Sequence, residues 1–318
     1  VLPVFPALAL CRAMGGGGSR QSSSSLEPEA RPGGLRLASL VFQPPEKTYE
    51  RGRDLIWLTT STGASCPAFF LNRSAKLTIL FSHGNAEDLG MILPQFREIC
   101  MSMDVNVFAY EYPGYGPSTG TPCEASVYAA IEAAHRYLRT TLNIPWNQIV
   151  LYGRSIGGAP SIHLASKTAV RGVVLQSAFL SVFRIAFKFR FTLPGDLFPN
   201  IKKIGGIEAP VYIIHGLQDE IVPVWHGEEL YKRCRDKYPP LFIDGGSHND
   251  LEAMARHVFN DRLRKFLQHL ESTPCSPALD GQASKTDFYS AINAGASTTG
   301  TAGGSAQAAS SHSSVGTA

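Results

Sequence analysis

The stretch from Ile149 to Leu164 constrains the fold more than any other part of the chain. It opens with four apolar residues, Ile-Val-Leu-Tyr, which are typical of a short buried strand. Gly153 and Gly157 then flank Ser155 at the G-x-S-x-G spacing, and a run of small residues with helical character follows. A turn this tight leaves no room for side chains beside the serine, and glycine removes the Cβ clash. The pattern predicts a sharp strand-to-helix elbow that exposes the Ser155 hydroxyl.

The G-x-S-x-G spacing identifies nothing by itself. The chain has 30 glycines among 318 residues, so the motif should arise by chance in about one such chain in four. The alternative is an ordinary glycine-rich turn between a strand and a helix. The residues at the ends of the other strands must therefore decide between the two interpretations.

Length and composition limit the class of protein. With 318 residues and 44% hydrophobic content, the chain can bury the core of one sizeable α/β domain. A net charge of +3 gives no general argument for a nucleic-acid partner, and we expect none. Six scattered cysteines without a C-x-x-C pair favour a reducing compartment, so we expect a cytoplasmic location. No run approaches the roughly 18 apolar residues that a membrane-spanning helix needs.

The two ends of the chain differ in composition from its middle. Residues 1–34 and 272–318 contain much glycine, serine, alanine or threonine, which predicts a disordered leader and a disordered low-complexity tail. The folded domain is expected at 35–271. If Met14 is the true start, Gly15 begins an N-myristoylation pattern, which would attach the protein reversibly to membranes. The alternative for this stretch is a plain glycine-serine linker.

Apolar strands alternate with helices through the middle of the chain. The alternation is typical of a mostly parallel sheet with helices on both faces, in which ligands bind beyond the carboxyl ends of the strands. Asp250 is expected to cap the last helix. The patterns predict strands at 53–60, 66–71, 77–82, 105–110, 149–152, 173–176, 211–215 and 241–244, and helices around 89–101, 126–142 and 250–270.

Three of these strands end next to residues suited to nucleophilic catalysis. The elbow strand leads to Ser155, the strand at 211–215 leads to Asp219, and the strand at 241–244 leads to His248. Serine, acid and histidine in that chain order, each just past a strand, are typical of the α/β-hydrolase fold. The sequence therefore predicts that fold, with these three residues as a catalytic triad.

Each predicted site residue has a chemical role. His248 would remove the proton of the serine hydroxyl, and Asp219 would orient the imidazole ring. Glu220, beside Asp219, is the alternative acid. The backbone N–H groups of Ile156 and of Asn85, in the loop after the third strand, are expected to form the oxyanion hole.

The remaining histidines and glycine loops predict no second site. His83 and His215 precede glycines at strand ends, and we interpret them as buried, hydrogen-bonded supports. No His/Cys cluster has metal-ligand spacing, and no glycine-rich loop matches a phosphate-binding or dinucleotide-binding fingerprint. We therefore expect neither a metal nor a cofactor.

Five motifs resemble one known family. They are Ser-His-Gly-Asn-Ala-Glu-Asp-Leu-Gly (82–90), Glu-Tyr-Pro-Gly-Tyr-Gly-Pro-Ser (111–118), Gly-Arg-Ser-Ile-Gly-Gly (153–158), His-Gly-Leu-Gln-Asp-Glu (215–220) and Gly-Gly-Ser-His-Asn-Asp-Leu-Glu (245–252). They are similar to the α/β-hydrolase-domain proteins of the ABHD-seventeen subfamily, serine hydrolases that remove palmitate from protein cysteines. The resemblance, from about residue 37 to 270, implies a triad at Ser155, Asp219 and His248 and a thioester substrate. That family has a palmitoylated, cysteine-rich N-terminus, whereas the leader here contains only Cys11.

The segment 179–206 lies where this fold often inserts a cap. Its phenylalanines at 179, 183, 187 and 191 recur every four residues and would form one apolar stripe on a helix. One interpretation is a cap helix that packs on the core. The other is an acyl-chain groove or membrane-docking face, in which Phe183 and Phe187 make the contacts. The basic residues off that stripe, which would favour anionic lipid, are Arg184, Lys188 and Arg190.

These features together predict a serine hydrolase that cleaves acyl thioesters or esters through an acyl-enzyme. The expected substrate is an S-acylated protein or a lipid-like ester, and peripheral contact with a membrane fits such substrates. A lipase or small-ester carboxylesterase would use the same triad. A serine peptidase and an inactive hydrolase fold that serves as a binding module are the further alternatives.

Overall fold

A sheet of eight strands organises the residues that the structure describes. The computed structural model covers residues 41–52, 54–187 and 194–275, with Phe187 described by its backbone alone. The sheet has the order β1-β2-β4-β3-β5-β6-β7-β8. The strands are β1 (Ile56–Thr59), β2 (Ser65–Leu71), β3 (Thr78–Ser82), β4 (Asn106–Tyr110), β5 (Ile149–Arg154), β6 (Gly172–Gln176), β7 (Val211–Gly216) and β8 (Leu241–Ile243).

Most of the sheet is parallel, as predicted. The strand β2 pairs antiparallel with β1 and with β4, and every other neighbouring pair is parallel. In the register of β3 and β5, Ser82 lies opposite Gly153. The loop after β3 and the loop after β5 therefore leave the same edge of the sheet side by side.

Helices cover both faces of this sheet. Consecutive β5 residues enter two separate core clusters, because strand side chains alternate between the two faces: Ile149 and Leu151 belong to one, and Val150 and Tyr152 to the other. Helices α1 and α8 pack in the second cluster, and α2, α3 and α6 in the first. The helices are α1 (Leu89–Met103), α2 (Glu124–Thr140), α3 (Gly158–Ala165), α4 (Val182–Phe187), α5 (Asn200–Lys203), α6 (Trp225–Arg233), α7 (Leu251–Met254) and α8 (Arg256–Ser272).

The last predicted helix is two helices in the structure. The helix α7 ends at Met254, and Ala255 interrupts the helical backbone with φ −120° and ψ 34° before α8 begins. Asp250 occupies the N-cap position of α7, but its side chain makes no capping hydrogen bond. Its Oδ1 atom accepts from the backbone N–H of Ser247 at 2.8 Å instead, which closes the turn around residue 248. Asp250 therefore has the predicted N-cap position, but its side chain does not cap the helix.

The described parts of the segment 179–206 pack on the sheet. Helix α4 begins at Val182, so Phe179 precedes it. Phe183 is 3% exposed within the core, which favours a cap helix packed on the core over a membrane contact by this side chain. Arg184 is also 3% exposed, and its Nη1 atom lies 3.6 Å from Asp196 Oδ2, so its guanidinium faces inward and not toward lipid. The other side chains expected on that face, those of Phe187, Lys188, Arg190 and Phe191, lie outside the described part of the chain.

Most of what the sequence predicts for the two ends of the chain also lies outside the described residues. These predictions are the disordered leader at 1–34, the myristoylation site at Gly15 and all but residues 272–275 of the disordered tail predicted at 272–318.

Burial of His135 predicts that acid destabilises the fold. Burial and the nearby Arg139 lower the pKa of His135, on α2, to about 3. The unfolded chain, with an ordinary histidine pKa near 6.5, therefore binds more protons between pH 6.5 and 3, and stability falls as the pH drops through this window. We expect wild type to lose about 2 kcal/mol more than His135→Gln between pH 7 and pH 5. Urea unfolding at both pH values measures the difference, and equal losses would contradict the prediction.

Candidate active site

The serine elbow lies at the end of β5. Ser155 has φ +52°, in the left-handed region that residues other than glycine rarely adopt. It begins a 3-10 turn, Ser155–Gly157, that leads directly into α3. A Cβ atom on Gly157 would lie 2.0 Å from the carbonyl oxygen of Ser82, and one on Gly153 would lie 2.3 Å from that of Gly157. Both glycines are therefore required by close backbone approaches, as expected from the sequence.

A methyl group at position 157 should disrupt the elbow. Because it would overlap the β3 backbone, which cannot rotate away, Gly157→Ala should destabilise the fold by about 3 kcal/mol or more and abolish labelling of Ser155 by a fluorophosphonate. Gly206→Ala is the matched control, since its added Cβ would lie 3.6 Å from its nearest contact, Ser166 Cβ. Thermal melting and labelling measure both effects. A Gly157→Ala protein with wild-type melting temperature would contradict the steric argument.

The three predicted triad side chains come together in a hydrogen-bonded row. The Nδ1 atom of His248 lies 2.8 Å from Asp219 Oδ2, and its Nε2 atom lies 2.9 Å from Ser155 Oγ. With Nδ1–H donating to the carboxylate, Nε2 is left to accept the serine proton. The arrangement can therefore activate the hydroxyl as a nucleophile.

Asp219 is held as a buried carboxylate. Its Oδ1 atom accepts from the backbone N–H groups of Ile221 at 3.0 Å and Val222 at 2.7 Å. The Nε2 atom of His215 lies 3.3 Å from Asp219 Oδ2. Burial alone would raise the pKa of Asp219, but hydrogen bonding to the rings of His215 and His248 outweighs it and holds the pKa well below its usual range. The acid is therefore ionised wherever the protein is folded near neutral pH.

Glu220, the alternative acid, occupies a different place. Its side chain is exposed. The carboxylate accepts from the backbone N–H of His248 at 3.4 Å and does not contact the ring. Asp219 is therefore the acid that faces the imidazole.

Substituting each carboxylate in turn should show which of the two supports catalysis. Asp219→Asn leaves no charge to stabilise the imidazolium and favours the wrong ring tautomer, so we expect kcat to fall about 10³- to 10⁴-fold. Glu220→Gln, the matched control, should cost less than about ten-fold because only a long backbone hydrogen bond changes. Steady-state hydrolysis of a p-nitrophenyl ester measures both. A larger loss in Glu220→Gln than in Asp219→Asn would reverse the assignment.

The loop after β3 approaches the elbow because β3 and β5 are neighbours. Asn85 is fixed there by its side chain: Oδ1 accepts from Gln43 N–H at 3.0 Å and from the Tyr115 hydroxyl at 2.6 Å. Its Nδ2 group donates to the carbonyl of Val41 at 2.8 Å. The side-chain amide is thus used for anchoring, which leaves the backbone N–H for a role in an oxyanion hole. The roles of this N–H and of that of Ile156, in the 3-10 turn, remain predictions.

His83 has a supporting position beside this loop. Its Nδ1 atom lies 2.8 Å from the carbonyl oxygen of Gly84, and its ring packs against Tyr112 with centroids 4.0 Å apart. Burial lowers its pKa to about 4, so the ring is neutral and donates from Nδ1 to the carbonyl. The Tyr112 hydroxyl donates to the carbonyl of His83 at 2.7 Å.

Sequence reasoning missed several charged residues around the site. Glu111 is buried, accepts from the backbone N–H of Leu89 at 2.7 Å, and has a pKa raised by that burial. Arg154, immediately before the serine, pairs with Glu87 at 2.8 Å. Isolated charged residues in loops show no periodicity that would predict their contacts. Only their position in the 82–90, 111–118 and 153–158 motifs indicated that these residues lie near the site.

A cavity of about 300 Å³ lies beside the elbow, between α1 and the α7–α8 region. Arg154, which precedes the serine, and Asn249, which follows the histidine, are among its lining residues. Glu252, another lining residue, accepts through Oε1 from Gln95 at 3.2 Å and from Gln176 at 2.8 Å. The cavity presents both polar and apolar groups, since its other lining residues include Glu98, Ser102, Arg256 and Asn260 as well as Ile99, Ala253 and Phe259.

The described residues also bear on two other kinds of site. Among them, no three His, Cys, Asp or Glu side chains are grouped so that they could hold a metal ion. In the same part of the chain, no helix combines the length and the apolar character needed to cross a membrane.

Comparison with known proteins identifies the class. Residues 78–198 match the family model described as the alpha/beta hydrolase fold. An esterase from Pyrococcus furiosus has TM-score 0.60 and 16% identity, over 71% of this chain and 99% of that chain. Est1E from Butyrivibrio proteoclasticus with bound ferulic acid has TM-score 0.57 and 16% identity, over 69% and 100%. The predicted fold, that of the α/β hydrolases, is confirmed.

Relatives with higher identity define the family within this class. Alpha/beta hydrolase domain-containing protein 17C of Xenopus tropicalis is 40% identical over 213 residues, 66% of this chain and 68% of the relative. Human protein 17B is 41% identical over 264 residues, 74% of this chain and 91% of the relative. For human protein 17C the 41% identity extends over 59% of its length. The chain belongs to the family of α/β hydrolase domain-containing protein 17, and the resemblance drawn from its motifs is confirmed.

Proposed function

We propose that the protein is a serine hydrolase that removes palmitate or a similar acyl chain from cysteine side chains of S-acylated proteins. One observation carries the enzymatic part: Ser155 Oγ, His248 and the ionised Asp219 form a continuous hydrogen-bonded row at the carboxyl edge of the sheet. A binding module would not need a strained serine paired with a correctly oriented imidazole.

Acylation of the enzyme is the first half of the proposed reaction. Ser155 Oγ attacks the thioester carbonyl carbon while its proton passes to His248 Nε2, and the carbonyl oxygen becomes an oxyanion held by the N–H groups of Asn85 and Ile156. The intermediate collapses with cleavage of the carbon–sulfur bond. The departing sulfur takes the proton from His248, which releases a protein thiol and leaves an acyl ester on Ser155.

Deacylation repeats the same steps with water. A water molecule gives its proton to His248 and attacks the acyl ester carbon. Collapse of the second oxyanion breaks the bond to Ser155 Oγ, which regains its proton from His248. The products are the fatty acid and the free serine, so atoms and charges balance over the cycle.

The choice of an S-acylated protein rests on two further arguments. The chain belongs to the family whose motifs implied a thioester substrate. The cavity that Arg154 and Asn249 line also offers hydrogen-bonding groups to the polypeptide that carries the acylated cysteine, and a triglyceride has no polypeptide to use them. The acyl chain of an S-acylated protein is inserted in a membrane, so the enzyme would have to contact the membrane surface to reach it. Myristoylation at Gly15 would supply this contact.

Two measurements test the proposal. We expect a fluorophosphonate to label wild type and Ser272→Ala, which removes an exposed serine of α8, but not Ser155→Ala. We further expect wild type to release palmitate from an S-palmitoylated peptide faster than from p-nitrophenyl palmitate or a triglyceride. An unlabelled wild type would overturn the enzymatic proposal. A labelled enzyme that prefers the ester or the triglyceride would instead be a carboxylesterase or a lipase.

A further inference from the structure

The two peptide units on either side of Gly84 are each held by a side chain. The carbonyl oxygen of Gly84 accepts from His83 Nδ1 at 2.8 Å, and the N–H of Gly84 donates to Glu87 Oε2 at 2.7 Å. Because a peptide unit is planar, the bond from His83 also sets the direction of the Asn85 N–H, which lies in the same unit as the Gly84 carbonyl. Glu87 holds the preceding unit, so it acts on the Asn85 N–H through the backbone of Gly84.

Glu87 is in turn bound by the residue that precedes the nucleophile. Arg154 Nη1 lies 2.8 Å from Glu87 Oε1, and the two side chains are only 14% and 16% exposed. Each carboxylate oxygen thus has its own donor, Oε1 the guanidinium and Oε2 the loop N–H. A pair this sheltered from water is weakened less by solvent and salt than a surface pair.

This ion pair connects the two halves of the reaction centre. Arg154 is the last residue of β5, one residue before Ser155, and Glu87 belongs to the loop that follows β3. The pair therefore joins the nucleophile elbow to the loop that carries Asn85, and any change in one is transmitted to the other.

We propose that Arg154 and Glu87 are positioning residues for the oxyanion hole: their ion pair sets the orientation of the Asn85 N–H relative to Ser155. This inference rests on the proposed serine hydrolase function and adds two residues to it. Neither side chain has to contact the substrate to orient the Asn85 N–H. This N–H stabilises the substrate mainly when charge develops on its carbonyl oxygen, so the ion pair should affect kcat and not KM.

The test compares Arg154→Met, Glu87→Gln and the double variant with wild type. The substrate is p-nitrophenyl acetate, which is too small to require the cavity that Arg154 also lines. We expect each single variant to lower kcat about ten-fold, with KM within two-fold of wild type, because the donor is displaced and not removed. The double variant should be no slower than either single one, since both changes break the same pair. Affinity for a trifluoromethyl ketone, which forms a tetrahedral adduct with the serine, should fall by the same factor as kcat.

The controls separate positioning from loss of structure. Arg154→Lys retains the charge and should recover part of the lost kcat. Glu229→Gln breaks an ion pair of the same 2.8 Å length, with Arg233 on α6, and should leave kcat unchanged. Melting temperatures of the Glu87 and Arg154 variants should fall by no more than about 5 °C, because each remaining side chain keeps some access to water and the proteins stay folded at the assay temperature.

Three results would overturn the inference. In the first, the variants keep wild-type kcat. In the second, kcat and melting temperature fall together, with additive effects in the double variant, so that the pair is merely structural. In both cases, if a fluorophosphonate still labels Ser155 in wild type, the proposed serine hydrolase function is not contradicted. In the third, wild type is not labelled, and the proposed function fails together with the inference.

Discussion

The contact between Gly157 and the carbonyl of Ser82 is the constraint on which the rest of the site depends. No side chain fits between the elbow and the end of β3, so the two backbones lie against each other. This approach holds Ser155 in a left-handed conformation that an isolated turn would not keep, because the packing on both sides outweighs the local strain. It also brings the loop of Asn85 beside the nucleophile. A single backbone contact thus constrains both the conformation of Ser155 and its distance from the N–H groups proposed to form the oxyanion hole.

The charges around the serine are fixed before any substrate arrives. Asp219 remains ionised although it is buried, because two backbone N–H groups and two imidazole rings surround it. A buried carboxylate without such partners would take up a proton instead. Preorganised groups of this kind need no rearrangement when charge develops, which is the main source of electrostatic catalysis. The buried polar groups are therefore part of the reaction centre as much as the triad.

The sequence predicts those parts of the molecule that depend on short stretches of chain. The β5 strand and its elbow are recognisable from consecutive residues, and Asp219 and His248 could be placed because each follows an apolar strand directly. The pairing of Arg154 with Glu87 could not be predicted, since it depends on loop conformations 67 positions apart in the chain. The missing capping bond of Asp250, at its predicted N-cap position, has a similar cause. A carboxylate there can accept from several nearby N–H groups, and only the turn at 247–250 decides which one it meets.

For the segment 179–206 the sequence left two interpretations open, for a related reason. Phenylalanine every four residues indicates an apolar stripe, but periodicity cannot tell which residues are in the helix or whether the stripe faces the core or a ligand. Phe183 enters the core, and Arg184 turns inward because Asp196 offers it a partner there. The charge and the aromatic ring that seemed suited to a membrane surface instead stabilise the packing of the segment.

The proposed base, His248, follows the shortest strand of the sheet, β8, which lies at one edge. The strand β8 has three residues and a single neighbour, β7, whereas β5, which carries the serine, is hydrogen-bonded on both sides. Edge strands with few partners open more often than central ones, by local fluctuations that leave the remaining core folded. Heating or mild denaturant should therefore separate His248 from an intact elbow before the molecule unfolds. Catalysis would then stop reversibly at a temperature below the cooperative melting of the domain.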